Sequence, residues 1–330
     1  MLPIKPGYLD FHVHVGERIG GYTLRDDFAD LQRLCHNPDD PINPPLMGMG
    51  VFVTQPDTGS LAQHLEEMQS HAARNFSSPV YWHLTPTRDD VSQVVPLLGK
   101  GIDLKFYTTY RAQGLYRSYT ELERWMQNLS DQKTRFLIHC EDDDAVQHYS
   151  EKHPFRHPFD HTLRRPEHCE LIAVEKVLDL ALKHQHPVHI VHVSSPNSAL
   201  LIQEAKKQFS GISCETTPHY LLLNEDDLKA KDAHRLICTP PFRSERSRGM
   251  LVELLQDGVF DILASDHCAF TLPDKDRFKD TPEQVPCGIA GIGTLFSSVY
   301  EALVRSGKIT LQQLVELTQT RVMQLMELEA

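Results

Sequence analysis

The sequence predicts a closed (β/α)8 barrel of the TIM type, because eight short β-rich segments alternate with longer segments of helical period along 330 residues. This number and alternation fit a closed barrel better than an open, doubly wound sheet. With 40% hydrophobic residues, the chain can bury a core of that size. No internal repeat, low-complexity segment or Gly/Ser linker divides it, so we expect a single domain over residues 1–330.

The predicted strands are short runs rich in β-branched and other apolar residues. They are, in order, Tyr8–Val15, Met49–Gln55, Val80–Thr85, Ile102–Tyr107, Arg135–Cys140, Val188–Ser194, Ile212–Thr216 and Phe260–Ser265. Apolar residues at helical spacing predict helices at Leu61–Arg74, Ser118–Leu129, Glu167–His184, Ser198–Phe209 and Glu245–Gln256, and two closing helices near Thr294–Ser306 and Thr310–Leu328.

Composition and charge argue against several classes of protein. The formal net charge of −12 and the lack of a long Lys/Arg run disfavour a nucleic-acid partner. No secretion signal is present, and no apolar run approaches the roughly 18 residues that span a bilayer. We therefore expect a cytoplasmic protein with no membrane partner. The 7 cysteines lack Cys-x-x-Cys spacing, which indicates buried, reduced thiols rather than a disulfide framework.

The first predicted strand carries a pair of histidines, His12 and His14. Side chains two residues apart on a strand share a face and lie about 7 Å apart along the backbone, so both imidazoles can converge on one ion. Alone, the pair is equally compatible with a half-buried strand whose histidines have polar partners. The decision between the two depends on the rest of the chain.

Further residues of the metal-binding type stand at the ends of other predicted strands. Active sites of (β/α)8 barrels lie at the carboxyl ends of the strands, and six residues meet this condition: His12, His14, Lys105, His139, His192 and Asp266. A solvated lysine or a hydrogen-bonded core histidine would explain any one of them. Together, four imidazoles, a lysine and a carboxylate at one mouth predict a site for two divalent ions, zinc by the character of the donors.

The sequence around these residues resembles the amidohydrolase superfamily and, within it, the cyclic amidohydrolases: dihydroorotase, dihydropyrimidinase (hydantoinase) and allantoinase. The resemblance covers nearly the whole chain. It rests on the order and spacing of Asp10-Phe11-His12-Val13-His14, Leu104-Lys105-Phe106, His139-Cys140-Glu141, His189-Ile190-Val191-His192-Val193-Ser194, Thr217-Pro218-His219-Tyr220-Leu221, Pro240-Pro241-Phe242-Arg243 and Ser265-Asp266-His267-Cys268.

The resemblance implies a metal-dependent hydrolase that opens a small cyclic amide, a dihydropyrimidine-type ring as in dihydroorotase. It implies that Lys105 is N-carboxylated by CO2 and that its carbamate bridges two metals. One metal would be held by His12, His14 and Asp266, and the other by His139 and His192. A hydroxide between the metals would attack the amide, with Asp266 as general base and then general acid.

The resemblance also implies a set of residues around the substrate: Asp57, His219, Arg243 and Gly288, with Tyr110 assisting the oxyanion as in dihydropyrimidinases. Larger members of the family add a small β-sandwich from segments outside the barrel. Since only six residues precede Gly7 and the chain ends at Ala330, we expect the short form without that sandwich. A homo-oligomer is a further expectation.

The substrate pocket departs from the dihydroorotase pattern. The arginine that binds the substrate carboxylate is replaced by Gly16, and Asp57, Thr239 and Phe270 stand where two asparagines and a histidine are expected. A carboxylate buried without a guanidinium partner is costly. If dihydroorotate is the substrate, we expect another cation in its place, and the candidates are Arg18, Arg25 and Arg243.

Several alternatives remain open at this stage. A dihydropyrimidinase or hydantoinase acting on a neutral ring is the first, since Ser265-Asp266-His267-Cys268 and Tyr110 favour it. The same ligands could serve deamination or phosphotriester hydrolysis, although Lys105 disfavours deaminases with one metal. An inactive dihydroorotase-like barrel that serves as an assembly partner is the last, and the presence of all six predicted ligands argues against it.

Overall fold

The computed structural model describes residues 7–19, 21–36, 42, 44–132 and 134–328. Its main sheet has nine parallel strands with helices outside it. The strands are β1 (Tyr8–His14), β2 (Leu46–Thr54), β3 (Val80–Thr85), β4 (Ile102–Tyr107), β5 (Phe136–His139), β6 (Val188–Ile190), β7 (Ile212–Thr216), β8 (Ile262–Leu263) and β9 (His267–Cys268). Each of the eight predicted strands is confirmed, most with ends shifted by a few residues.

The sheet closes on itself through its last two strands. Its hydrogen-bonded order runs from β8 through β7 and the intervening strands to β1, and ends at β9. β8 pairs with β7, whereas β9 pairs with β1 through Val13 opposite His267 and His14 opposite Cys268. Because β8 and β9 are separated only by residues 264–266, they are one barrel strand in two parts. Asp266 interrupts it, since its left-handed backbone (φ 50°) leaves the ladder.

The helices surround the sheet and alternate with its strands. They are α1 (Phe28–Gln32), α2 (Leu61–Asn75), α3 (Val91–Val94), α4 (Tyr119–Asn128), α5 (Asp143–Lys152), α6 (Asp160–Arg164), α7 (Glu167–His184), α8 (Pro196–Lys206), α9 (Pro218–Leu222), α10 (Glu245–Gln256), α11 (Leu272–Asp276), α12 (Leu295–Val299), α13 (Leu311–Val315) and α14 (Arg321–Leu325). Short 3-10 turns occupy Arg33–Cys35, Val95–Leu97, Arg111–Gln113, Glu225–Lys229, Ala233–Leu236, Pro282–Gln284 and Ile292–Thr294.

Local sequence explains where several helices begin and end. Ser60 and Ser118 each form a capping box with the residue three positions on, and this fixes the starts of α2 and α4. The bounds predicted for α7 and α10 are confirmed at both ends. The two closing helices were predicted as continuous, but each contains a π turn, at Tyr300–Val304 and at Glu316–Thr320.

The alternation of side chains along the strands separates an outer apolar layer from the polar interior of the barrel. On β4, Leu104 and Phe106 pack in the outer layer, where the Phe106 ring lies 5.2 Å from that of Trp125 on α4. Lys105 therefore takes the inward position. A smaller cluster that includes Phe11 fills the opposite end of the barrel, where Val322 of α14 covers it. This arrangement leaves the carboxyl ends of the strands for the polar residues.

A two-stranded antiparallel hairpin, Arg18–Ile19 with Tyr22–Thr23, follows β1. It packs on Cys268 and Phe270 near the β9 end. All seven cysteines are free, as predicted, but Cys287 is exposed rather than buried. None of the helices in the described ranges combines the length and apolar character needed to cross a membrane.

Candidate active site

The structure brings the six predicted metal-binding residues to one end of the barrel. His12 and His14 lie late in β1, Lys105 in β4, His139 at the end of β5, His192 two residues after β6 and Asp266 between β8 and β9. The His12 ring lies 5.4 Å from the rings of both His14 and His192, and His139 lies 4.6 Å from His192. The convergence predicted from strand ends is therefore present in the structure.

Three of these residues, His12, His14 and Asp266, form what we call the β1 cluster. The Asp266 Oδ1 atom lies 2.9 Å from His12 Nε2 and 3.8 Å from His14 Nε2. One donor atom from each residue lies within 4.8 Å of the others, which is close enough for one ion to bind all three. Burial alone would raise the pKa of Asp266, but the neighbouring histidines hold it well below its usual range, so the carboxylate is anionic.

The other two histidines, His139 and His192, form what we call the β5 cluster. The Nδ1 atom of His192 is buried and has no hydrogen-bond partner among the described residues, and the same holds for Nδ1 of His14 in the β1 cluster. A buried polar atom without a partner is costly unless a ligand binds it. His192 and Asp266 also have left-handed backbones, with φ of 39° and 50°, a strain typical of functional sites.

Lys105 is 1% exposed. Its Nζ atom lies 4.8 Å from the ring centroid of Phe52 and 5.1 Å from that of Tyr107, and no carboxylate of the described chain forms an ion pair with it. Burial lowers the pKa of Lys105 to about 8. A neutral amine is the form that adds CO2, so this environment fits the predicted carbamate.

Two buried carboxylates that the sequence analysis missed hold the β1 cluster. Glu215 of β7 contacts His12 Nδ1, and its Oε2 atom lies 3.1 Å from His189 Nε2. Asp10 Oδ1 accepts hydrogen bonds from the backbone N–H groups of His12 (3.2 Å) and Ser265 (3.0 Å), which ties β1 to the end of β8. An acidic residue inside an apolar strand was the available signal for both.

Another missed pair stands behind the β5 cluster. Glu141 Oε2 lies 2.9 Å from His139 Nε2 and accepts a hydrogen bond of 2.6 Å from Arg165 Nη1. Glu141 belongs to the motif His139-Cys140-Glu141, whereas nothing in the sequence near Arg165 indicates a position beside the site.

Tyr110, the predicted oxyanion residue, stands beside the β5 cluster. Its ring lies 5.2 Å from that of His139, and its hydroxyl is hydrogen-bonded to Thr239. Burial raises the pKa of Tyr110 well above its usual value, so the phenol stays protonated and can donate a hydrogen bond. Its catalytic role stays a prediction.

The predicted substrate residues differ in their surroundings. His219 is buried and its Nε2 atom has no partner among the described residues, while burial lowers its pKa to about 4 and keeps it neutral. Gly288 packs so closely on Cys268 that a Cβ atom at position 288 would clash with the Cys268 carbonyl oxygen. Asp57 is exposed in the segment after β2. Of these residues, His219 is the one with a buried polar atom left available for a hydrogen bond to a ligand.

The arginines predicted to replace the missing carboxylate partner have protein partners instead. Arg243 Nε donates to Ser194 Oγ at 2.9 Å, Nη2 lies 3.4 Å from Glu170 Oε2, and Nη1 donates to a backbone carbonyl. Arg25 Nη1 lies 3.2 Å from Asp26 Oδ1, and Arg18 donates to a carbonyl within its own hairpin. The guanidinium of Arg243 thus joins parts of the protein, and its role in substrate binding stays a prediction.

Comparisons with known proteins gave several matches over nearly the whole chain, although no family model matches it. The D-hydantoinase of Ralstonia pickettii is 28% identical over 330 residues, which cover 96% of this chain and 70% of that protein. The dihydroorotase of Halalkalibacterium halodurans is 30% identical over 324 residues, which cover 95% and 70%. A solved structure of a D-hydantoinase superposes with a TM-score of 0.86 at 27% identity, and the match covers 96% of this chain and 70% of that one.

Proposed function

The chain belongs to the cyclic amidohydrolases of the amidohydrolase superfamily, hydrolases that open a C–N bond in a cyclic amide, and from this premise we propose that it acts on a neutral ring of the dihydropyrimidine or hydantoin type. Deamination, phosphotriester hydrolysis and a non-catalytic role in an assembly have no counterpart among these relatives. The observation that carries the neutral-ring proposal is the engagement of Arg18, Arg25 and Arg243 by protein partners.

The negative charge of a substrate carboxylate would not be balanced by the arginine that dihydroorotases place after the histidine pair. Gly16 supplies no guanidinium, and the nearby side chain of Glu17, which is 4% exposed, is itself acidic. Thr54 N donates to Glu17 Oε1 at 2.6 Å, so this carboxylate is fixed at the end of β2. Dihydroorotate would bring a carboxylate to a site where Arg18, Arg25 and Arg243 already have protein partners, whereas a neutral ring avoids the desolvation of that charge.

The donor set fits divalent metals, because clustered imidazoles and an anionic carboxylate are what a zinc-like ion binds. In this proposal the β1 cluster would hold one ion, the β5 cluster would hold a second, and a carboxylated Lys105 would supply a further anionic ligand. Bound metals would polarise the amide carbonyl and lower the pKa of water.

The protein's own residues then handle the proton and the oxyanion. Asp266, anionic because of its neighbouring histidines, takes the proton of the attacking water and returns it to the leaving ring nitrogen. The protonated phenol of Tyr110 donates a hydrogen bond to the oxygen on which negative charge develops. Neutral His219, whose Nε2 atom has no partner among the described residues, supplies a hydrogen bond to the ring.

Turnover of dihydrouracil, hydantoin, allantoin and dihydroorotate by the zinc- and bicarbonate-supplemented protein tests the substrate class. Two charge-assisted hydrogen bonds to a carboxylate are missing, each worth about 1.5–3 kcal/mol. We therefore expect kcat/KM for dihydrouracil or hydantoin to exceed that for dihydroorotate by about 100-fold or more. Efficient turnover of dihydroorotate that survives substitution of Arg18, Arg25 and Arg243 would overturn the neutral-ring proposal.

A further inference from the structure

A buried ion pair behind the β5 cluster takes no part in the proposed proton transfers. Glu141 is 0% exposed, and its Oε2 atom lies 2.9 Å from His139 Nε2 and 2.6 Å from Arg165 Nη1. A carboxylate buried this deeply is stable only with close partners. Among the described residues, Arg165 and His139 are the two whose side chains pair with the Glu141 carboxylate. This pair can therefore fix the histidine.

The contact with Glu141 selects one tautomer of His139. The carboxylate accepts a hydrogen bond, so the proton of the neutral imidazole resides on Nε2 and the lone pair on Nδ1. A metal binds the nitrogen that carries the lone pair. Partners of this kind around metal-binding histidines typically change metal affinity or activity by about 10–100-fold when they are removed.

The same guanidinium also contacts Tyr110. Arg165 Cζ lies 5.2 Å from the centroid of the Tyr110 ring, and that ring lies 5.2 Å from the His139 ring. A cation at this distance over an aromatic face is attracted to it. Arg165 therefore contacts the carboxylate that orients His139 and, separately, the phenol proposed to bind the oxyanion.

The backbone of Arg165 is itself held in place by Arg243. Its carbonyl oxygen accepts a hydrogen bond from Arg243 Nη1, and Arg243 also bonds Ser194 Oγ and contacts Glu170 of α7. The backbone at Arg165 is thus connected to the segment that follows His192. These contacts fix the backbone from which the Arg165 side chain extends.

We propose that Arg165 is a positioning residue, which acts through Glu141 on His139 and directly on the ring of Tyr110. This inference rests on the metal centre of the proposed function. Loss of Arg165 weakens metal binding by the β5 cluster and slows turnover. The β1 cluster keeps its metal, because Glu215 of β7 and Asp10 of β1 support it without contact to Arg165.

The preceding residue provides a matched control. Arg164 Nη1 donates to the carbonyl oxygens of Ser150 (3.3 Å) and His153 (2.9 Å), and Nη2 donates to Glu283 Oε1 at 3.0 Å. Its Cζ lies 5.4 Å from the Phe155 ring centroid. Arg164 thus has an acidic partner and an aromatic partner like those of Arg165, but neither belongs to the site.

The experiment compares wild type with Arg165→Met, Arg165→Lys and Arg164→Met, each loaded with zinc and bicarbonate. Zinc per chain is measured against increasing chelator, and kcat and KM are measured on dihydrouracil. We expect Arg165→Met to release one of roughly two ions at about 10–100-fold lower chelator, with a lower kcat and little change in KM. Arg164→Met should match wild type. Arg165→Lys keeps the charge beside Glu141, so it should retain zinc better than Arg165→Met while kcat stays low.

A second readout needs neither metal nor activity. In the zinc-free protein, the Nε2–H proton of His139 should give a downfield NMR signal, assigned by its loss in His139→Gln. We expect Arg165→Met to lose or shift this signal and Arg164→Met to keep it. If the wild-type protein shows this signal but binds no zinc and turns over no substrate, the proposed function is wrong, while the contact by which Arg165 and Glu141 orient His139 still stands. If Arg165→Met and Arg165→Lys both match wild type in the NMR signal, in zinc retention and in kcat, Arg165 is not a positioning residue.

Discussion

The β1 and β5 clusters are supported in different ways. Glu215 and Asp10, which hold the β1 cluster, are strand residues that are both 0% exposed. The β5 cluster depends on Glu141 and on Arg165, whose side chain comes from the segment between α6 and α7 and is 14% exposed. The barrel alone therefore positions one cluster, whereas the other also requires a segment outside the sheet.

This difference separates what the fold supplies from what the connecting segments supply. Strand residues are fixed by sheet register, so the geometry of the β1 cluster is set when the barrel closes. Connecting segments vary more easily, and functional residues are often found in them. We expect changes in the α6–α7 segment to alter the β5 cluster first, and changes in β7 to alter the β1 cluster first.

The largest expected effect follows from removal of the residue proposed to join both clusters. Lys105→Ala should lose one or both ions and reduce kcat/KM by about 10³-fold or more, because neither cluster keeps the shared carbamate ligand. Short carboxylic acids should restore part of the activity. Zinc per chain and kcat/KM on dihydrouracil measure this.

A control for Lys105→Ala is Lys206→Ala. Lys206 Nζ pairs with Asp261 Oδ2 at 2.5 Å, at the other end of β8 from Asp266. We expect this variant to be less stable and to keep its zinc and kcat. Full zinc and full activity in Lys105→Ala would contradict the bridging role and, with it, the view that the two clusters form one centre.

The sequence predicted the strands and the six converging residues for a physical reason. Apolar strands have a strong local signal, and parallel strands of a barrel all end at one rim. The supports were not predictable in this way, because His12 and Glu215 are 203 positions apart and meet only when the barrel closes. The π turns of the closing helices likewise depend on packing.

The substrate pocket was the least predictable part. Arg243 stands in a family motif, but the partners of its guanidinium, Glu170 and Ser194, are 73 and 49 positions away. The absence of an accessory β-sandwich, the single domain over residues 1–330, the homo-oligomer and the cytoplasmic location stay predictions.

Acid should weaken the segment that supports the β5 cluster. His161 of α6 is buried, with Nε2 3.1 Å from the Cys238 carbonyl oxygen, and burial lowers its pKa to about 3, assisted by the charge of Arg165 and Arg164 and opposed by Glu141. Because the unfolded value is about 6.5, the folded state favours neutral His161, so its stabilisation is present above pH 6.5 and is lost as pH falls toward 3.

Denaturant unfolding of zinc-loaded wild type and His161→Gln measures this effect. Between pH 6.5 and 5, wild type should lose about 1.6 kcal/mol more of its unfolding free energy than the variant, since one group contributes at most about 1.4 kcal/mol per pH unit and is half protonated in the unfolded state at pH 6.5. Glutamine can still donate to the Cys238 carbonyl, so the contact is preserved while the titration is removed. Parallel pH profiles for the two proteins would contradict the assignment.

The smallest expected effect falls mainly on the β1 cluster. In Glu215→Gln, the amide oxygen can accept a proton from His12 or from His189, but the amide nitrogen cannot accept the other, so one buried imidazole N–H loses its partner. We expect zinc affinity at the β1 cluster to fall about tenfold. The β5 cluster should be affected less, because Glu215 contacts it only through the backbone N–H of His192, at 3.3 Å from Oε1, and an amide oxygen can keep that hydrogen bond. Asp103→Asn, which alters a buried acid paired with Arg135 at 3.0 Å, is the control and should change stability alone.

In chelator titrations, Glu215→Gln and Arg165→Met should each weaken mainly the binding of a different ion. Their effects should add in the double variant, because Glu215 and Arg165 do not contact each other. Loss of the same ion in both variants would show that the clusters are not supported independently.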